Sequence, residues 1–157
     1  MPFRWSGRDT QTLSAVAMSA LLLASAAKHF DDPGFFGPVV PDFLCRDDTG
    51  EQSNSPLAVL SREEWVALTG LLEAGAAAGL LIPATRRAAA GCTAAMFTVF
   101  LAGHIDALRK AYGPAGTPGQ RRAHTLRLPL QAPLIAWAWS LRNPILGKPH
   151  PRKPVRQ

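Results

Sequence analysis

Four stretches of the chain, Thr10 to Phe30, Trp65 to Ile82, Ala88 to Ile105 and His124 to Leu141, carry almost no charge, and the segments around them hold the rest. Each is about 18 to 21 residues long, which is what a helix rising about 1.5 Å per residue needs to cross a hydrocarbon core of roughly 30 Å. A soluble helical protein would carry one apolar stripe per helix and charge on the opposite face. Ser14 to Ala27 and Ala88 to Leu101 are apolar all round. The pattern predicts an all-α chain: a four-helix transmembrane bundle with a long extracytoplasmic first loop. Its spans would cover residues 10–30, 64–83, 86–110 and 123–142 of a single membrane domain over 1–157.

The bulk hydropathy is barely positive, because the long first loop and a basic, Pro-rich tail over 143–157 dilute the four segments. The first segment also fits a signal peptide, with Arg4 and Arg8 before the apolar run and Ala24-Ser25-Ala26 as a small-x-small cleavage pattern. Cleavage would leave three spans. Ala and Ser are equally the residues of packed membrane interfaces, and the uncleaved reading is the one adopted. Gly75 and Gly79 form a GxxxG in the second segment, Gly70-Ala74-Ala78 lies one step round the helix, and Gly91-Ala95 repeats the spacing in the third. Close backbone approach is expected there. Pro129 and Pro133 each remove a backbone donor from the fourth helix and predict a kink.

Charge sets the orientation. The first loop holds eight carboxylates (Asp31, Asp32, Asp42, Asp47, Asp48, Glu51, Glu63, Glu64) against Arg46 and Arg62. The N-terminus has Arg4 and Arg8, the second connection is Pro83-Ala84-Thr85-Arg86-Arg87, and the tail is basic without an acid. The positive-inside bias makes this a multi-pass cell-membrane protein with both termini cytoplasmic. The third connection dissents, since Arg109, Lys110, Arg121 and Arg122 would lie outside. The net charge of +6 comes from juxtamembrane residues, so the tail suits anionic lipid and no nucleic-acid partner is expected. Cys45 and Cys92 are too far apart in depth for a disulfide. There is no CxxC, metal-spaced Cys/His cluster, phosphate loop or GxSxG, so neither a metal site nor an intrinsic cofactor is predicted.

Ionisable side chains inside a membrane are costly and are functional candidates by default. Glu73 lies about nine residues into the second span, roughly 14 Å below the outer surface. Arg127 enters the fourth span from the same side, and Gln131 follows one turn deeper on the same face. His104 and Asp106 approach the outer end of the third span, and Lys28 and His29 end the first. All seven fall in the outer half, whereas the cytoplasmic half holds only Ser, Thr and Cys. A carboxylate at the depth of Glu73 has to be protonated, wet or paired, so Glu73 is expected either to pair with Arg127, directly or through Gln131, or to stay protonated.

At these residues the chain resembles the DoxX family of small four-helix membrane proteins. The likeness lies in Lys28-His29-Phe30, the loop from Phe35 to Leu44, Thr69-Gly70-Leu71-Leu72-Glu73, Pro83-Ala84-Thr85-Arg86-Arg87 and Val99-Phe100-Leu101-Ala102-Gly103-His104. It continues through Leu126-Arg127-Leu128-Pro129-Leu130-Gln131 and Ile135-Ala136-Trp137-Ala138-Trp139, and covers about residues 13 to 141 in order. The chain departs from the pattern by an insertion, Arg46 to Ser61, and by His104 where an Asn is expected. The resemblance implies an integral membrane subunit associated with quinone- or thiol-linked redox systems. A quinone or similar lipid-soluble molecule is the candidate ligand, with Glu73 and His104 handling protons, Arg127 and Gln131 orienting a carbonyl, and electrons supplied by a protein partner. The alternative is a non-catalytic scaffold or assembly subunit in which the buried polar groups fix helix register. Membrane lipid and either a protein partner or further copies of the chain are the expected contacts.

Overall fold

The computed structural model describes residues 7–46 and 56–143. Within them the protein is all-helical, with α1 (Gly7–Asp31), α2 (Arg62–Leu81), α3 (Arg86–Ala111) and α4 (Pro118–Ser140), and no strand. The loop after α1 is built from three short 3-10 turns, Pro33–Phe35, Gly37–Val39 and Asp42–Leu44. Most of the inserted segment and the basic tail lie outside the described residues.

The helix ends follow from local chemistry. Ser61 caps α2 with a capping box, its hydroxyl accepting from the Glu64 amide at 3.1 Å while the Glu64 carboxylate accepts from the Ser61 amide at 2.7 Å. Thr117 does the same with Gln120, and Pro118 occupies the first helical position. Those signals start α4 five residues before the expected span, at Pro118 rather than 123. It then runs through both Pro129 and Pro133.

α1, α2 and α3 are each long and apolar enough to cross a membrane. α4 does not join them on that measure, because His124, Arg127, Gln131 and two prolines interrupt its apolar run. α1 packs chiefly on α2 and α3 chiefly on α4, with a sparser α2–α3 contact joining the two hairpins. One apolar core draws on all four helices: Ala15, Met18 and Leu22 of α1, Ala77 and Leu80 of α2, Ala90, Ala94 and Phe97 of α3, Ala138 of α4 with Leu141 after it. These residues lie toward the Pro83–Arg87 turn, the turn end. The 3-10 turns lie over the opposite, loop end.

Small residues mark where helices approach. A methyl group on Gly79 would come within 2.8 Å of the Ala89 side chain, and one on Gly70 within 2.8 Å of His29. Gly75 faces open space. The GxxxG of Gly75 and Gly79 therefore does not act as a pair: Gly79 serves α3 and Gly70 serves α1, on different faces of α2.

Candidate functional site

Between the helices at the loop end lies a cavity of about 510 Å³. α1 contributes His29, α2 Trp65, Thr69 and Glu73, α3 Phe97, Phe100 and His104, and α4 Arg127 and Gln131; the roof is Phe35, Phe36, Val39 to Pro41, Phe43 and Leu44 from the 3-10 turns. Apolar and aromatic walls with a few converging polar groups are the usual makeup of a small-molecule site.

His29, on the last turn of α1, is the best-defined of these groups. Its Nδ1 lies 2.8 Å from the Val66 carbonyl and so donates to it, with Thr69 Oγ1 3.3 Å away. The ring stacks on Phe36 at 3.6 Å between centroids and 15° between planes, and Phe35 meets Phe36 edge-on. Since Nδ1 carries a proton, Nε2 is free to face Glu73, 3.7 Å from its Oε1. Both side chains are more than nine-tenths buried.

Of the two outcomes expected for Glu73, the pairing with Arg127 is not the one formed. Glu73 faces His29, and no ion pair joins it to Arg127 among the described residues. The reason is connectivity: α2 packs on α1 while α4 packs on α3, so the side chain opposite Glu73 comes from α1. Arg127 instead lays its guanidinium over the Phe35 ring, 4.2 Å from the centroid. It lies within electrostatic reach of His104 and His124.

Of the seven sequence candidates, His29, Glu73, His104, Arg127 and Gln131 line this same cavity, and Lys28 and Asp106 do not. Lys28 is one residue, about 100° of helix, from His29 and pairs with Asp32 at 2.8 Å on the surface. Asp106 is two residues from His104 and pairs with Lys110 at 2.9 Å. Several buried polar atoms at the cavity have no hydrogen-bond partner: His29 Nε2, Glu73 Oε2, His104 Nδ1 and Gln131 Oε1. Such atoms are costly unless something satisfies them.

Two groups that the sequence reading used only as charges turn out to hold the roof. Arg62 donates to the carbonyls of Gly37 and Val40 at 2.7 and 2.5 Å and to Asp42 at 2.5 Å. Lys110 reaches Asp42 from α3 at 2.8 Å. Hydrogen bonding from Lys110, and after it from Arg62, outweighs partial desolvation and holds the Asp42 carboxyl below its ordinary range. Trp65 Nε1 donates to the Leu44 carbonyl at 2.7 Å. The Val39 carbonyl rests on Gly103, where any Cβ would collide with it. The only early signal for this was position: Arg62 and Trp65 share the first turn of a capped helix.

No group of His, Cys, Asp and Glu among the described residues is arranged to hold a metal. Cys45 is buried, with Sγ 3.5 Å from the Pro41 carbonyl, and Cys92 is exposed. No curated protein and no solved structure matches the chain. A model of the family described as a domain of unknown function, DUF8561, matches residues 18–142, which take in all four helices' cores and the whole cavity, and the chain belongs to that family.

Proposed function

We propose that the protein is a four-span integral membrane subunit, DoxX-like in character, that holds a lipid-soluble carbonyl compound of the quinone class in the loop-end cavity for a redox system whose electrons come from a partner protein. The observation that carries this is the cavity itself: mostly apolar and aromatic walls enclosing the unpartnered atoms of Glu73, His29, His104 and Gln131. Its volume lies within the range of about 300 to 1,000 Å³ common for small-molecule pockets. The residues fit such a group. Gln131 and His104 would hydrogen-bond ring oxygens, Phe35, Phe97 and Phe100 would pack on the ring, and the His29–Glu73 pair would hold a proton beside it. A bound quinone would supply the two-electron, two-proton chemistry that the chain's own residues lack.

The membrane setting rests on α1 to α3 and on what surrounds them. Leu13, Val16, Leu23, Leu68, Leu71 and Leu72 point outward and are exposed, as are Leu126, Leu130 and Trp139 of α4. Water would not stabilise so much apolar surface, whereas lipid would. On this ground α4 is counted as the fourth span. The dissenting basic connection has a structural use for its charge. Arg121 donates to the Ala111 and Gly116 carbonyls at 3.0 and 3.3 Å, and Lys110 is neutralised by Asp42 and Asp106. On this reading the loop end lies outside. In intact cells a membrane-impermeant thiol reagent should label Ala115→Cys and spare Ala84→Cys, and the opposite result reverses the topology. Cys45 is too buried to serve as the reporter.

Extraction in mild detergent followed by mass spectrometry of copurified lipid tests the ligand. A quinone-class molecule should accompany the wild type and be lost from a folded Glu73→Gln variant. Its absence from the wild type, or full retention by the variant, overturns the assignment.

A further inference from the structure

The charge of the occupant can be derived from which charged groups already have partners, given that the cavity is a ligand site as proposed above. His29 and Glu73 face one another at 3.7 Å, so the Glu73 carboxyl meets α1 and not Arg127. Lys28 is matched by Asp32, and Asp42 and Asp106 are matched by Arg62 and Lys110. Arg127 is different. Among the described residues it has no carboxylate at ion-pair distance and no hydrogen-bond acceptor; its one close partner is the face of Phe35, 4.2 Å away.

A cation–π contact contributes about 0.5 to 2 kcal/mol but leaves the charge uncompensated. The half-buried guanidinium thus presents donors in a planar fork to a space lined by apolar side chains, the arrangement that a two-oxygen anion fits best. Two further polar side chains are short of partners beside it: Gln131, one turn along α4 and nine-tenths buried, whose amide can flip to present its NH2, and His104, whose Nδ1 is orphaned. Either can turn a donor toward an oxygen held at Arg127.

We propose that the cavity selects a lipophilic monoanion: one negative charge shared over two oxygens, set against Arg127, on an apolar body that fills the aromatic part of the cavity. A long-chain carboxylate and the ionised enol of an alkylated hydroxyquinone present that same chemistry.

The test uses the whole protein in phosphatidylcholine nanodiscs at pH 8, with binding read as the saturable retention of isotope-labelled probe over that of empty nanodiscs. Four probes suffice: hexadecanoate, methyl hexadecanoate, a 2-hydroxy-3-alkyl-1,4-naphthoquinone and the same naphthoquinone without its hydroxyl. At least one anion should bind tenfold or more tightly than its neutral counterpart, and the arm that does so identifies the source. Arg127→Gln should abolish the preference while still binding the neutral quinone, and Arg127→Lys, which keeps the charge, should retain it. A wild type that binds acid and neutral probe alike, or a preference that survives Arg127→Gln, overturns the proposal. Saturable binding of the neutral quinone with none of the anions overturns this proposal and leaves the cavity assignment standing. No saturable binding in any arm overturns both.

Discussion

The two ends of the helix assembly are built from the same four helices and differ in almost every other respect. At the turn end the helices meet over Ala15, Ala77, Ala90, Ala94 and Ala138, side chains small enough to bring backbones together. Polar groups there have partners: Ser19 donates to the Ala77 carbonyl at 3.0 Å, Trp137 to Ser14 at 2.8 Å, Arg86 to the Leu80 carbonyl at 2.9 Å and Gln11 to the Asn143 carbonyl at 2.8 Å. At the loop end the side chains are large and aromatic, yet they enclose space, and four buried polar atoms point into it unpartnered. The turn end holds the helices in register, and the loop end can then leave polar groups unsatisfied. A region that carries unmet hydrogen-bonding capacity needs a well-packed neighbour to bear the cost.

The contrast can be broken most severely at the closed end. Leu80 is fully buried there, and Leu80→Ala should cost about 2–5 kcal/mol, because the void left cannot collapse onto helices already in contact. Leu134→Ala, which borders the existing cavity, should cost distinctly less. Thermal unfolding of the two detergent-solubilised variants checks this, and equal losses would mean that the two ends are packed alike.

A smaller effect is expected where the roof meets α3. Gly103→Ala puts a Cβ into the Val39 carbonyl, so the 3-10 turns must lift. A loss of about 1–3 kcal/mol is expected, together with weaker ligand retention. Gly75→Ala meets nothing within 4 Å and should be neutral or stabilising by up to about 1 kcal/mol. Should both behave alike, the roof does not rest on Gly103.

The buried pair sharpens the comparison from inside the cavity. In a double-mutant cycle, His29→Ala and Glu73→Ala should show a coupling of about 0.5–3 kcal/mol, as for contacting polar residues. Additivity would show that the 3.7 Å approach carries no interaction.

The smallest effect belongs to the exposed clamp on the roof. Asp42 is held below its ordinary value by Lys110 and Arg62. A depressed folded-state value stabilises above the unfolded-state value of about 3.9, and that contribution is lost as pH falls through the lowered folded value. The carboxylate is largely exposed, so the gain is at most about 1 kcal/mol. Asp42→Asn should lower the thermal midpoint slightly at pH 7, and the deficit should shrink as pH falls below about 3.9. A deficit that stays constant as pH falls would point to shape rather than charge.

What the sequence made legible divides along the same line. Apolar runs reveal helices because lipid and core both select for them, and the four runs match α1 to α4, two of them overrunning the helix by one residue, at Ile82 and at Leu141. Depth along a helix was also legible: Glu73, Arg127 and Gln131 sit at levels that meet in one cavity. Azimuth and neighbour choice were not. Lys28 and His29 differ by a single residue, and only the packing of α1 on α2 decides that the second faces Glu73. The capping box at Thr117 could have been read from Thr117-Pro118-Gly119-Gln120, and would have placed the start of α4 correctly. The role of Arg62 could not, because its acceptors are backbone carbonyls with no signature in side-chain pattern.

The roof is fastened to the start of α2 at Gly37, Val40, Asp42 and Leu44, and the chain closes again where the Arg46 amide donates to the Leu60 carbonyl at 2.8 Å. The stretch between those two residues therefore begins and ends at one fixed point. Lengthening or shortening a segment tethered in this way costs little, because closure entropy grows only slowly with length. The anchoring at Arg46 and Leu60 thus lets the length of chain between them change while the cavity beneath keeps its shape.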